Sequence, residues 1–403
     1  MFMKKIYRFS FGVCGIVFLI LTGCRQETLP ISGGQEDYIS FKTPVLDVQT
    51  DTRSTTKNAL EVGDQFGVLG YCVPYLLGTT NLNYNSATSF WGIKYYLCPP
   101  SVFYNTPVTV GNGFCSYDSP KMWYREGYGL DGKSNSSVGA DAEQYRYTFF
   151  AYYPYKETDL VFTLDTPEDA SVAGAPKFTF TMPQEGDKIE KELDYTNTPD
   201  AMFGVLQNQQ KSQGSLTFTF SHLLTALGFE VNNFSERELK VHRVALKGTF
   251  HKQIVLDFSK TGSLDNVTFP NTTYTGTYIL YDEADHNNEP LILSAPQEGM
   301  DRTTTGLLPK GDDGEGEHIL LVSGRDPYLG TNVRVYIDYT FGDDLKVTDQ
   351  EGIGSPMTFH PTPGTKYTAQ LNFVGNAFVL QFVVDNNEMW EDGKSDDSDI
   401  IFE

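Results

Sequence analysis

Paired cysteines, clustered cations and long apolar runs are all scarce in this chain, and each scarcity closes off a class of function. Its 403 residues include 5 cysteines and no CxxC pair, so neither a disulfide framework nor a zinc site is expected. Lys and Arg number 30 against 52 Asp and Glu, for a net charge of −22. Nucleic-acid binding needs cations gathered against phosphates, and no such cluster occurs. Only 20% of the residues are charged, which argues against the Ala/Glu/Lys/Leu-rich composition of a coiled coil. After the first two dozen residues no apolar run reaches the 18 or more that a membrane-spanning helix requires. Catalytic signatures are missing too: there is no GxSxG elbow, no HExxH and no Walker loop,. The one GxGxxG, at residues 127–132, lacks the preceding strand and following helix of a dinucleotide fingerprint and reads as a glycine loop,.

What the chain does have is aromatic residues. They make up 14% of it, with 24 Tyr and 28 Phe beside 37 Gly and 20 Pro. A disordered chain would lack such rings. The length suggests two or three domains at roughly 100–200 residues each. An acidic, aromatic-rich, all-β protein is expected.

Residues 1–23 read as an export signal. Lys4, Lys5 and Arg8 give a positive start, and residues 9–21 form an apolar run too short to span a bilayer,. The run ends in Leu21-Thr22-Gly23-Cys24, which is similar to a bacterial lipobox with Cys24 as the lipidated new N-terminus. Acyl chains on Cys24 would hold the protein to a membrane at about 0.8 kcal/mol per buried CH₂. Residues 24–37, rich in Gln, Ser and Gly, read as a flexible tether. Of the remaining cysteines, Cys72 sits in an apolar run and reads as a buried thiol,. Cys98 and Cys115 are placed to bridge a loop worth about 3 kcal/mol.

Strand signals recur from about residue 38 to 384. Residues 145–149, 177–182, 216–220, 332–339 and 366–373 alternate apolar with polar, the pattern of strands buried on one face with Thr, Arg and Gln toward water. Turn clusters such as Gly311-Asp312-Asp313-Gly314 and Pro361-Thr362-Pro363-Gly364 separate them,. Helical periodicity is confined to residues 221–227, where Ser221 is a candidate N-cap and Gly228 a stop,. Many short strands on this scale imply two antiparallel sandwiches. The polar stretch 207–214 is the expected joint, giving an N-terminal sandwich domain over residues 38–212 and a C-terminal one over 213–403.

No residues assemble into an enzyme site, no cofactor is implied, and no metal site is expected. The six histidines are dispersed. His222 reads as a packed or capping residue. The acidic groups before His318 and at residues 282–286 offer oxygens to a hard cation, but their spacing fits no calcium loop, and acidic hairpin tips explain them equally well. Aromatics in the Gly-, Ser- and Asn-rich region 80–137, chiefly Trp91, Trp123 and Tyr124, have two readings. They stack on sugars, or they fill a sandwich core.

Four short pieces, in order, resemble the fimbrillin (Mfa-like) family of type V pilus lipoproteins from Gram-negative gut and oral anaerobes. They are Cys24 with its spacer; Tyr38-Ile39-Ser40-Phe41 followed by Asp51-Thr52-Arg53-Ser54 and residues 60–68; Phe220-Ser221-His222-Leu223-Leu224; and Pro363-Gly364-Thr365-Lys366-Tyr367 leading to Trp390. The resemblance implies two tandem transthyretin-like β-sandwiches and a non-enzymatic, assembly-driven role at the cell outer membrane or in a fimbrium. It implies that an extracellular trypsin-like protease cuts after Arg53 and releases the first strand, with Ile39, Phe41 and Val45 as the plug, so that a strand of another subunit fills the groove. Residues 378–384 have a donor's alternation but are expected to close the second sandwich. The acidic tail around Ile400, Ile401 and Phe402 is short, which leaves stalk, tip and anchor positions open. The competing reading is a monomeric glycan-binding surface lipoprotein.

Overall fold

The computed structural model describes residues 37–46, 59–74, 100–139, 145–155, 162–164, 177–257, 267–311, 314–323, 329–351, 361–374 and 377–384. Among these residues strands dominate and no α-helix occurs. The first half of the chain forms β1 (Val45–Leu46), β2 (Gln65–Pro74), β3 (Phe103–Thr109), β4 (Ser116–Tyr117), β5 (Tyr145–Tyr153), β6 (Phe162–Leu164), β7 (Lys177–Thr181), β8 (Asp187–Leu193), β9 (Met202–Gln209) and β10 (Thr219–His222). The second half forms β11 (Thr225–Asn233), β12 (Leu239–His251), β13 (Gln253–Asp257), β14 (Val267–Thr268), β15 (Thr273–Asp282), β16 (Leu291–Leu293), β17 (Thr303–Leu308), β18 (Ile319–Leu321), β19 (Gly330–Phe341), β20 (Val347–Glu351), β21 (Lys366–Val374) and β22 (Ala377–Val384).

One sheet has seven strands in the order β1-β10-β9-β5-β2-β3-β4. Its central strands are covered on both faces. Phe149 and Ala151 of β5 join Phe66, Val68 and Phe218 in one core, while Phe150 and Tyr152 join Leu69, Tyr71 and Phe203 in the other. Thr148, expected on a wet face, is fully buried. A strand sandwiched between two layers reads as a continuous buried run rather than an alternating one, and β5 is buried from Tyr147 to Tyr153.

Two further sheets are built mainly from the second half, one ordered β17-β11-β21-β22 with β18 also on β11, and a six-stranded one ordered β20-β19-β12-β15-β8 with β16 on β12. The predicted faces are present: Val333, Val335 and Ile337 of β19, and Tyr367, Ala369, Leu371 and Phe373 of β21, lie in the same buried core as Phe150 and Tyr152. β22 pairs with β21 along its length and so closes this sheet. Two strands cross over from the first half, β7 pairing with β13 and β8 with β15. The polar stretch 207–214 is the end of β9 and a 3-10 turn, after which the chain returns as β10 in the same seven-stranded sheet.

The helix expected at residues 221–227 is absent. This segment is the end of β10, a two-residue step and the start of β11, with His222 through Leu227 all buried. An apolar run enclosed on every side carries no period by which helix and strand differ, and ladders to β9, β18 and β21 supply backbone partners that a single helical turn could not. At the step, His222 Nδ1 donates to Asp200 Oδ1 at 2.8 Å, with both side chains 2% exposed. His222→Ala strips a buried carboxyl group of this donor, and a loss of about 2–4 kcal/mol is expected in urea titrations. A loss under about 0.5 kcal/mol would show that the pair does not brace the step.

Candidate functional site

The ends of the seven-stranded sheet meet, and they meet through one short segment. Residues 38–46 lie between β10 and the stretch 113–123 that contains β4. On one side Phe41 bridges Leu216 in parallel, and Val45 and Leu46 pair with Thr219 and Phe220. On the other side Lys42 bridges Phe114 and Tyr38 bridges Met122, both antiparallel. The backbone bonds alternate between the two neighbours. Lys42 N–H donates to the Leu216 carbonyl at 2.8 Å and Val45 N–H to Phe218 at 2.9 Å, while Ile39 N–H donates to Lys121 at 2.8 Å and Cys115 N–H to the Phe41 carbonyl at 2.8 Å. An extended segment with pairing on both edges is an interior strand, and here it closes a curled sheet on itself.

The side chains follow the pleat. Ile39 and Phe41 are fully buried. Phe41 stacks on Phe218 at 5.4 Å between ring centroids, meets Phe149 edge-on at 5.7 Å, and lies 5.8 and 6.0 Å from Phe103 and Tyr117. Ser40 faces Ser215 across the ladder, hydroxyl to hydroxyl at 2.8 Å. Val45, expected as part of the buried plug, is instead 50% exposed, and Leu46 takes the inward place. The phase slips by one residue at Pro44, which is itself buried, so the inward positions are 39 and 41 and then 44 and 46.

Polar groups of the neighbouring stretch grip the same segment. The Tyr117 hydroxyl donates to the Ile39 carbonyl at 2.5 Å, and burial pushes that phenol well above its usual range, so it stays a donor at any physiological pH. The Cys115 thiol faces the Lys42 carbonyl at 3.3 Å. It is a free thiol, and burial raises it to about 11. At the amino end, Asp37 accepts from Lys211 Nζ at 2.7 Å and lies 3.7 Å from Arg125 Nη1. The hydrogen bond from Lys211 holds its carboxyl below the ordinary 3.8. Arg125 lies flat over the Tyr128 ring, 3.9 Å from its centroid.

Tyr117→Phe should leave the Ile39 carbonyl without its side-chain donor and cost about 1–2 kcal/mol. Hydrogen exchange at the Ile39 and Cys115 amides should rise by about tenfold for each 1.4 kcal/mol lost locally. Unchanged exchange there would mean the hydroxyl bond does not hold the segment. None of Tyr117, Cys115 or Lys211 carries a sequence signal of this role, because their partner lies far away along the chain.

Cys24, Arg53, Trp91, Cys98 and Trp390 lie outside the described residues. Trp123 is 3% exposed and set edge-on to Tyr147 at 4.7 Å, so its ring packs in the core. Tyr124, half-buried against Tyr145, borders a depression of about 100 Å³ with Gln210, Lys211 and Ser212. That is well under the roughly 300–1,000 Å³ of small-molecule sites. Among the described residues no group of three or more His, Cys, Asp or Glu could hold a metal. Asp282 caps the 3-10 turn Glu283–His286, and Glu283 is bound by His242 at 2.5 Å and Lys346 at 2.8 Å. His318 is deeply buried, and burial with the Lys366 charge lowers it to about 3, so it stays neutral.

No family model and no curated protein matches the chain. Solved structures do. A fimbrial protein from Bacteroides vulgatus aligns over 87% of this chain and 99% of its own, with 19% identity and a TM-score of 0.54. A candidate cell adhesion protein from Bacteroides uniformis covers 88% of this chain and 99% of its own at 12% identity and a TM-score of 0.38. The tip fimbrial protein Mfa3 from Porphyromonas gingivalis, truncated at its C-terminus, covers 86% of this chain and 98% of its own at 8% identity and 0.33. The first of these likenesses establishes a shared fold over nearly the whole of both chains. Among the described residues no helix is long and apolar enough to cross a membrane.

Proposed function

We propose that the chain is a non-enzymatic structural subunit of a surface fimbria of the fimbrillin kind, joined to its neighbours by exchange of the strand at residues 37–46. The observation that carries this reading is the closure of the first sheet through that one segment, paired on both edges and seated on Ile39 and Phe41. Because Arg53 lies between this segment and the body, which resumes with the buried Leu60, one cut there leaves the strand held by non-covalent contacts alone. Its departure would strand the amide groups of Cys115 and Trp123 and the carbonyls of Leu216 and Phe218 beside an open apolar slot. A strand from another subunit satisfies both deficits at once, so the exchange is close to neutral in free energy and is driven by mass action. The shared fold with a fimbrial protein supports the same reading.

In this scheme Cys24 carries the lipid that delivers the chain to the outer membrane, and a trypsin-like protease outside the cell makes the cut. N-terminal sequencing of the protein taken from assembled surface fibres tests it. The expected first residue is Ser54. Fibres whose subunits still begin at Cys24 would remove processing at Arg53 from the mechanism.

A further inference from the structure

We infer that the slot chooses its incoming strand, and the direction in which that strand lies, by a carboxylate at one end as well as by apolar anchors along it. This inference rests on the exchange reading above and specifies its partner: an extended segment of another chain with an acid at the place of Asp37, an aliphatic residue at that of Ile39, an aromatic at that of Phe41 and an aliphatic at that of Leu46. The strand runs parallel to residues 216–220.

The apolar requirements follow from burial. Positions 39, 41 and 46 face the core, and the cavity at 41 is walled by rings on every side. Alternation alone reads the same from either end, so these anchors leave the direction of a strand open. The cations settle it. Lys211 and Arg125 stand at the amino end of the segment, both reaching Asp37, whereas the other end finishes on Leu46 beside Phe220. Neither cation is placed by Asp37 alone. Arg125 lies over the Tyr128 ring, and the backbone of Lys211 belongs to the 3-10 turn Lys211–Gln213 that follows β9. Both therefore remain at the mouth of the slot when the segment leaves, where they attract a carboxylate and repel a cation. The phase slip at Pro44 is a second, weaker filter, since a strand of strict alternation throughout would present position 46 to water.

The test uses the full chain with a site-specific protease sequence in place of residues 48–53, cut after folding. The cut protein is mixed with excess fluorescent peptide copying residues 36–47, and incorporation is read by anisotropy and by mass. The native peptide is expected to enter. The same peptide with Asp37→Lys should enter roughly fivefold or more less well, the equivalent of about 1 kcal/mol at a half-exposed pair, and the reversed sequence should not enter. Lys211→Asp in the protein should restore entry of the Asp37→Lys peptide. Equal uptake of the native and Asp37→Lys peptides would overturn the carboxylate rule, and uptake of the reversed peptide would overturn the direction. No uptake of any peptide, the native one included, would instead bring down the exchange reading itself.

Discussion

Replacing Phe41 by alanine should cost about 3–5 kcal/mol, the range for emptying an aromatic position in a packed core. The ring is fully buried and bounded by Phe103, Tyr117, Phe149 and Phe218 at 5.4–6.0 Å. These neighbours belong to or adjoin β3, β4, β5 and β10, and collapse of four separate strands into one void would break ladders on every side. The loss should therefore sit near the upper end of the range, and Phe41→Leu should recover a large part of it. Trp123, packed in the same core, gives a fluorescence signal for urea unfolding of that core. A second measurement separates a weakened strand from a weakened domain. The Cys115 thiol is covered by the segment and raised to about 11, so alkylation of the Cys115 peptide, followed by mass, reports each opening of the slot. Phe41→Ala should speed it by about a thousandfold or more, since about 4–5 kcal/mol corresponds to at least that factor. A loss below about 1 kcal/mol with unchanged alkylation would mean the segment is not seated by this ring.

How much of this was readable beforehand varies by residue. Residues 38–41 read as a first strand through their resemblance to the fimbrillin family, and the alternation of Ile39 and Phe41 with Tyr38, Ser40 and Lys42 is the local period that such a strand carries. The outward place of Val45 is not legible locally, because the slip at Pro44 belongs to the pairing with residues 216–220, about 175 positions away. Residues 221–227 were misread as helix for a related reason: His222 through Leu227 are buried on every side, and continuous burial erases the period that identifies either element. Trp123 and Tyr124 look alike in a glycine-rich stretch, yet one is fully enclosed in the core and the other half-buried at its edge, a difference set by the position of Tyr145 and Tyr147 on β5. The crossing of β7 and β8 into sheets of the second half left no local trace, since pairing partners far apart in the chain are chosen by the assembled core. The grip of Tyr117, Cys115 and Lys211 on the segment was hidden in the same way.

Stapling the segment in place should abolish assembly outright while leaving the fold intact. Ser40 and Ser215 face each other with hydroxyl oxygens 2.8 Å apart, and the adjacent ladder, in which Leu216 N–H donates to the Ser40 carbonyl at 2.8 Å, holds the two backbones together. Cysteines at both positions need a sulfur separation of about 2.0 Å, a change within reach of small side-chain rotations. In the oxidised S40C/S215C protein a trypsin-like cut at Arg53 frees nothing, because the segment stays covalently joined to the residues leading into β10. The slot then remains filled at any concentration of partner, and SDS-resistant oligomers should be absent. Reduction of the same cut sample should restore them to the level of the cut parent chain. The comparison is within one polypeptide, so it is insensitive to small effects of the substitutions on stability. Oligomers that form equally well with the bridge intact would show that chains join elsewhere on the surface. If the cut parent chain itself forms none, a stalk role is excluded, and the contrast between oxidised and reduced protein carries over to uptake of a free strand peptide, which the bridge should still block.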